Sequence, residues 1–318
     1  MPSPVHRGYA IFRVVDMVDQ FRGCLLGAAC GDALGGPLEF VDAAEIARHY
    51  GAGREMTGGG WLKLQPGQVT DDTQQMLCVL DSYLECRGFD PQDIADRLLD
   101  WYRAGPIDVG NLTREACENL LYGYNFERSG RDAWDAVPEG SRLGNGSLMR
   151  AAPTGLLRYP DNIRLIGESR VISGITHYDE RCKLACACLN LALGHLLLIG
   201  IDGLLAELSE FIEPRNTVIG YALQAIPSLQ PRDLRSTGYV VDTLQSALWA
   251  ALYCDEFEEG LTLLLNLGGD TDTLGAVGGA LLGTRFGVGA IPQRWLKPLE
   301  HRERIDLAAR KLFEMSQE

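Results

Sequence analysis

Two loop-to-helix junctions carry the densest oxygen chemistry in the chain. The first is Gln68-Val-Thr-Asp-Asp-Thr73, and the second, about two hundred residues further on, is Gly268-Gly-Asp-Thr-Asp-Thr273. Between them they place four carboxylates (Asp71, Asp72, Asp270 and Asp272) and hydroxyls including Thr70 and Thr273 at two helix starts. Carboxylate and hydroxyl oxygens without His or Cys beside them suit hard cations, Mg²⁺ or Mn²⁺. If the junctions converge, two divalent cations would relieve the repulsion among the acids. Capping is the competing explanation for either junction alone, because Asp and Thr are favoured N-caps and carboxylates favour the positive end of a helix dipole.

Two further acids stand near glycine-rich loops. Glu39 follows Gly31-Asp-Ala-Leu-Gly-Gly-Pro-Leu, where a helix over 22–33 ends, and its alternative is an ordinary solvated side chain. Asp108 lies in Pro106-Ile-Asp-Val-Gly-Asn111, where capping of the next helix is the rival. Gly144-Asn-Gly-Ser-Leu-Met-Arg150 reads as a glycine-framed turn whose backbone N–H groups can meet an anionic oxygen. Of the five histidines, His177 is placed best for a site, ahead of a helix, while His195 reads as a core residue and His6, His49 and His301 as peripheral. There is no G-x4-G-K-[ST], no G-x-G-x-x-G after a strand and no H-E-x-x-H.

The elements that must position these residues are helical. Apolar residues recur at three- and four-residue spacing over 42–50, 73–86, 91–103, 113–121, 163–172, 181–198, 204–212, 242–254, 256–265 and 302–315. Alternation of the strand type is scarce. Glycine clusters between helices, and residues 202–240 are the most loop-rich part. The expected fold class is all-α, a single domain over 21–318 preceded by an N-terminal extension over 1–20.

Composition narrows the function. The 318 residues carry 29 Lys and Arg against 43 Asp and Glu, a formal net charge of −14. That balance argues against nucleic-acid binding through phosphate neutralisation and against a polybasic membrane anchor. Nine cysteines, an odd number in a long chain, do not suggest a disulfide framework, and Cys182, Cys186 and Cys188 lack zinc-site spacing. The apolar run 184–201 is interrupted by Asn190, Gly194 and His195 and reads as a buried core helix, so no integral membrane segment is expected. With no signal-peptide pattern at the start, a cytoplasmic location is expected.

Taken together, Gly23-Cys-Leu-Leu-Gly-Ala-Ala-Cys-Gly-Asp32, Met56-Thr-Gly-Gly-Gly60 with Thr70–Thr73, Gly144–Arg150 and Gly268–Thr273 resemble the ADP-ribosylglycohydrolase family. Within that family the likeness is to the dinitrogenase-reductase-activating glycohydrolases. It includes Gly60-Trp-Leu-Lys-Leu-Gln-Pro-Gly-Gln68 and Gly238-Tyr-Val-Val-Asp-Thr243 and runs from about Phe21 to Leu299. The resemblance implies a compact helical fold with a central cleft for two divalent cations, Mn²⁺ or Mg²⁺. By motif match Thr70, Asp71, Asp72, Asp270, Asp272 and Thr273 would be the metal ligands. Glu39, on a mobile loop, and Asp108, facing the scissile bond, would join Asp71 and Asp270 in catalysis. Asn145, Gly146, Ser147, His177 and Tyr239 would contact ADP-ribose. The implied reaction removes ADP-ribose from arginine on a target protein, with a target like dinitrogenase reductase. Alternatives on the same fold are an immunity protein against an ADP-ribosylating toxin and an ADP-ribose-binding pseudoenzyme. The implied partners are an ADP-ribosylated protein, ADP-ribose and a regulatory or toxin protein.

Overall fold

Gly23, Gly27, Gly31 and Gly35, at four-residue spacing, leave one face of a helix bare. In the computed structural model, which describes residues 16–49 and 55–318, that face belongs to the helix Met17–Gly35. It lies against a second bare face on the helix Thr271–Phe286, formed by Gly275, Gly279 and Gly283. The contact is backbone on backbone: a Cβ at Gly27 would stand 2.3 Å from the Gly279 carbonyl oxygen, and one at Gly31 would stand 1.9 Å from that of Gly275. Gly23 meets Gly283 and Gly35 meets Thr271, so the helices run antiparallel. The C-terminal end of the first, with Asp32, therefore sits at the N-terminal end of the second, with Asp270 and Asp272. Glycine is thus not confined to the loops, as the sequence pattern suggested, but also forms the central helix contact.

With this pair the described residues form sixteen α-helices and no strand, the all-α fold expected. Thr271–Phe286 also packs on Val240–Tyr253, Phe257–Leu265 and Glu180–Leu198, while Met17–Gly35 packs on Arg302–Ser316. Glu180–Leu198 is long and apolar enough to cross a membrane, but 83% of its most apolar window is buried inside the protein. Cys182, Cys186 and Cys188 are among its buried residues, and all nine cysteines are free. His195, on the same helix, is buried with Nδ1 2.5 Å from Glu207 Oε2 and Nε2 2.8 Å from the Asp202 carbonyl.

Beyond the central pair, four helices lie outside the periodic segments, the shortest being the single turn Gln293–Leu296. Phe126–Ala136 buries only Ser129, Gly130 and Ala133, small residues that leave no large-apolar stripe to read. Ala152–Arg158 is a short helix buried almost all round. Thr217–Ala225 lies within the loop-rich stretch and is capped by Asn216, whose side chain accepts the Ile219 N–H. Part of the stretch read as an N-terminal extension is helical. Met17–Gln20 is the first turn of the Met17–Gly35 helix, and Gln20 Nε2 donates to the Thr284 carbonyl at 2.9 Å. Residues 1–15 of that extension, with His6, lie outside the described residues, as does Tyr50 at the end of the 42–50 segment.

Extended pairing among the described residues is limited to three isolated antiparallel bridges, Asp42 with Gly268, Gly59 with Leu64, and Gly144 with Tyr239. The first and third clamp loops that carry candidate site residues, and the second closes the turn that holds Trp61.

Candidate active site

The two acidic junctions converge, and capping does not explain them. Thr70 is the N-cap of the helix Asp71–Cys86, yet its side chain makes no cap bond. The capping oxygens come instead from Asp32 on another helix. Asp32 accepts the Thr70 N–H at 3.0 Å, the Thr70 hydroxyl at 2.8 Å, the Thr73 N–H at 3.0 Å and the Thr73 hydroxyl at 2.5 Å. Asp71 and Asp72 are thereby free to face the cleft. At the other junction Asp270 is the N-cap of Thr271–Phe286, again without a cap bond. Asp270 Oδ2 instead accepts Asn145 Nδ2 at 2.9 Å. Asp108 caps nothing either: Gly110 is the N-cap of Asn111–Leu121, and Asp108 Oδ1 accepts the adjacent Val109 N–H.

The loops that hold these acids are locked to one another. Gly268 and Gly269 have positive φ, and a Cβ on either would fall within 2.4 Å of a backbone oxygen, that of Val41 or of Ser236. The Phe40 N–H donates to the Gly269 carbonyl at 2.8 Å and the Gly269 N–H to the Val41 carbonyl at 3.0 Å. Glu39 therefore sits on a loop tied to the second junction rather than on a free one. It is buried, and its Oε2 accepts Trp61 Nε1–H at 2.7 Å.

A second network supports the other wall. Asp71 Oδ2 accepts Gln75 Nε2 at 2.9 Å, and Gln75 Oε1 accepts Arg150 Nη1 at 2.7 Å. Arg150 is fully buried and also donates to Thr176 Oγ1 at 2.6 Å, which lies 2.7 Å from His177 Nδ1. Burial, reinforced by Arg150, pushes the imidazole down to about 3, so His177 is neutral. Thr176 thus links Arg150 to the imidazole and fixes the ring's position. Nε2 lies against Gly144 and Gly146, where a Cβ would approach within 3.2 Å of it.

The resulting cleft, of about 550 Å³, is lined by every candidate site residue except Thr70 and Ser147. Thr70 is fully buried, its hydroxyl 2.8 Å from Asp32 Oδ1 and 3.3 Å from Asp72 Oδ2. Ser147 faces the core, with Oγ 2.9 Å from Ser173 Oγ and 3.5 Å from Cys186 Sγ, so a side-chain contact with ADP-ribose is not available to it. Asp32, Gln75 and Arg150 were missed by the sequence argument. Only the Gly-Asp pair at the end of a glycine-striped helix hinted at Asp32.

Burial dominates the electrostatics. It pushes Glu39 up to about 7, against the Trp61 hydrogen bond and with Asp108 and Asp270 adding. It also raises Asp71, Asp72 and Asp272 well above the usual carboxylate range, with neighbouring carboxylates contributing. Asp108 rises for the same first reason. Carboxylate oxygens of Glu39, Asp108 and Asp272 lie within 4.8 Å of one another, and Asp72 Oδ1 is buried with no hydrogen-bond donor. An orphaned carboxylate oxygen among mutually repelling acids fits a divalent cation.

The sequence model of the ADP-ribosylglycohydrolase family matches residues 14–318. The chain belongs to the ADP-ribosylglycohydrolase family. It is 34% identical to the ADP-ribosylarginine hydrolase Tri1 of Serratia proteamaculans, over 95% of this chain and 81% of that protein. It is 35% identical to the ADP-ribosyl-[dinitrogen reductase] glycohydrolase of Rhodospirillum rubrum, over 89% of this chain and 90% of that one. A solved ADP-ribosylglycohydrolase-related protein complex superposes with a TM-score of 0.81 at 38% identity, covering 94% of this chain and 99% of that chain. As a member of this family the protein is a hydrolase.

Proposed function

We propose that the protein removes ADP-ribose from arginine side chains of a target protein, with two divalent cations, Mn²⁺ or Mg²⁺, at the junction of the two acidic helix starts. The observation that carries this reading is the orphaned, buried Asp72 Oδ1 within a set of carboxylates that cannot all ionise without a counter-charge. Thr70, Asp71, Asp72, Asp270, Asp272 and Thr273 would hold the ions. Bound there, the cations would supply Lewis-acid stabilisation at the ribose oxygens.

The rest follows from the chain's own groups. The neutral His177, the Asn145–Gly146 turn and Tyr239 give the cleft wall that receives ADP-ribose. Cleavage of the bond between ribose C1″ and the guanidine nitrogen passes through an oxocarbenium-like transition state. Asp108 and Glu39 line the same cleft, with carboxylate oxygens within 4.8 Å of each other, and they stabilise the developing positive charge. Glu39, buried in the cleft beside Asp108, would accept the proton of the attacking water and return one to the leaving guanidine. Water adds OH to C1″ and the proton ends on the guanidine.

Incubation with arginine-, serine- and O-acetyl-linked ADP-ribose, with and without chelator, tests this reading. Release from the arginine linkage that chelation abolishes is the expected result. Chelator-insensitive release, or preference for another linkage, would overturn it.

A further inference from the structure

Phe40 is held at φ 64°, in the left-handed region that a bulky side chain rarely adopts. Two backbone hydrogen bonds enforce it, Phe40 N–H to Gly269 and Val41 N–H to the Leu38 carbonyl at 3.0 Å. Burial does not offset this conformation, because Phe40 is 72% exposed. Its ring meets that of Trp61, 5.6 Å between centroids and tilted by 41°, and Trp61 is itself 51% exposed. The Trp61 turn is clamped by paired bonds between Gly59 and Leu64 at 2.8 and 2.9 Å. Its indole N–H is committed to Glu39, so the ring pair is anchored to the carboxylate that approaches Asp108 and Asp272. Phe40 lines the cleft, and with Trp61 packed against it the pair presents aromatic surface to solvent beside Glu39. Strained backbone that exposes an aromatic ring marks a binding surface rather than a packing one.

We propose that Phe40 and Trp61 form the receptor for the guanidinium end of the substrate, the modified arginine side chain of the target protein, and so set the preference for that linkage. A guanidinium is planar, cationic and weakly hydrated, and it stacks on aromatic faces. Glu39 and Asp108 supply the complementary charge at the inner end of this surface. Serine- or acetyl-linked ADP-ribose offers the rings no cation. The inference rests on the arginine reading above and adds the residues that select it.

The test compares the unaltered protein with Phe40→Ala and Phe40→Tyr on ADP-ribosyl-arginine and on O-acetyl-ADP-ribose, alongside calorimetric binding of ADP-ribose. Phe40→Ala is expected to raise KM for the arginine linkage about tenfold and to lower its kcat/KM relative to the acetyl linkage by a similar factor. ADP-ribose affinity should move less than about twofold, and Phe40→Tyr, which keeps the ring, should restore the preference. Equal losses on both linkages, or a parallel loss of ADP-ribose affinity, would overturn the proposal alone. Failure of the unaltered protein to act on the arginine linkage would overturn the earlier reading and this one with it.

Discussion

Thr70 donates both its backbone N–H and its hydroxyl to Asp32, at 3.0 and 2.8 Å. Asp32 is the nearer acceptor, since Asp72 Oδ2 lies 3.3 Å from the same hydroxyl, so the proton points to Asp32 and a lone pair is left toward the acids. Asp32 thus converts a residue that would ordinarily cap its own helix into a candidate ligand, and it takes over the capping itself. Burial pushes the Asp32 carboxyl up to about 6, while the Thr73 and Thr70 hydrogen bonds pull it back.

Asp32→Asn replaces one acceptor oxygen by an NH₂ group facing donors. Turnover should fall about 10–100-fold, with weaker metal binding, as for other outer-shell partners of metal sites. Metal titration followed by ADP-ribose release checks this, and wild-type values for both would show that Asp32 is only a cap.

Positioning of the acids depends on the glycine contact. Gly31→Ala would put a Cβ 1.9 Å from the Gly275 carbonyl oxygen, one residue from Asp32. Backbone cannot yield as a flexible side chain does, so the helices must separate. A loss of about 3 kcal/mol or more is expected, at the upper end of overpacking costs. Gly167, in the helix Asn162–Gly174, has open space around its Cβ position. Gly167→Ala should instead stabilise by up to about 1 kcal/mol through helix propensity. Denaturant unfolding of the two variants, with activity measured on each, separates these outcomes.

The legible parts of this protein were those where one residue type has one use. Pro91–Arg103 and Leu204–Ile212 have the bounds that apolar spacing predicts, because large side chains make their buried stripes. Phe126–Ala136 was invisible because its buried stripe is Ser, Gly and Ala. At the site, the carboxylates of Asp71, Asp72, Asp270 and Asp272 were readable as a set, since four acids at two helix starts exceed what capping needs. Asp32, Gln75 and Arg150 were not, because their roles exist only through partners 38, 4 and 26 positions away in sequence. Ser147 misled for a similar reason: the turn is where the motif puts it, but the side chain points into the core.

Gln75 bridges Asp71 and the buried Arg150. Gln75→Leu removes an acceptor from a buried cation and a donor from a buried acid. A loss of about 2–3 kcal/mol is expected, the usual cost of stranding a charged group. Because Arg150 also holds Thr176 and through it His177, ADP-ribose affinity should fall as well. Thermal unfolding and calorimetric titration read the two effects, and a destabilised variant with unchanged affinity would separate Arg150 from the orientation of His177.

The raised carboxyls predict how metal and pH act together. An acid whose folded pKa lies above its unfolded one binds more protons when folded, so stability declines as pH rises from the unfolded value through the folded one. For Glu39 that window runs from 4.5 to about 7, and for Asp32 from 3.8 to about 6. Asp71, Asp72 and Asp272 shift in the same direction. His177 opposes them, because its depressed pKa makes stability rise with pH between about 3 and 6.5, but it contributes no slope above that. The chelated protein should therefore lose melting temperature as pH climbs from 5 to about 7.5, within the range set by these shifts. Added Mg²⁺ or Mn²⁺ binds the ionised acids, so it should raise the melting temperature more at the upper pH than at the lower one. Melting curves across that range, with chelator and with either ion, give the comparison. An equal rise at both ends would mean that the ions do not bind these carboxylates.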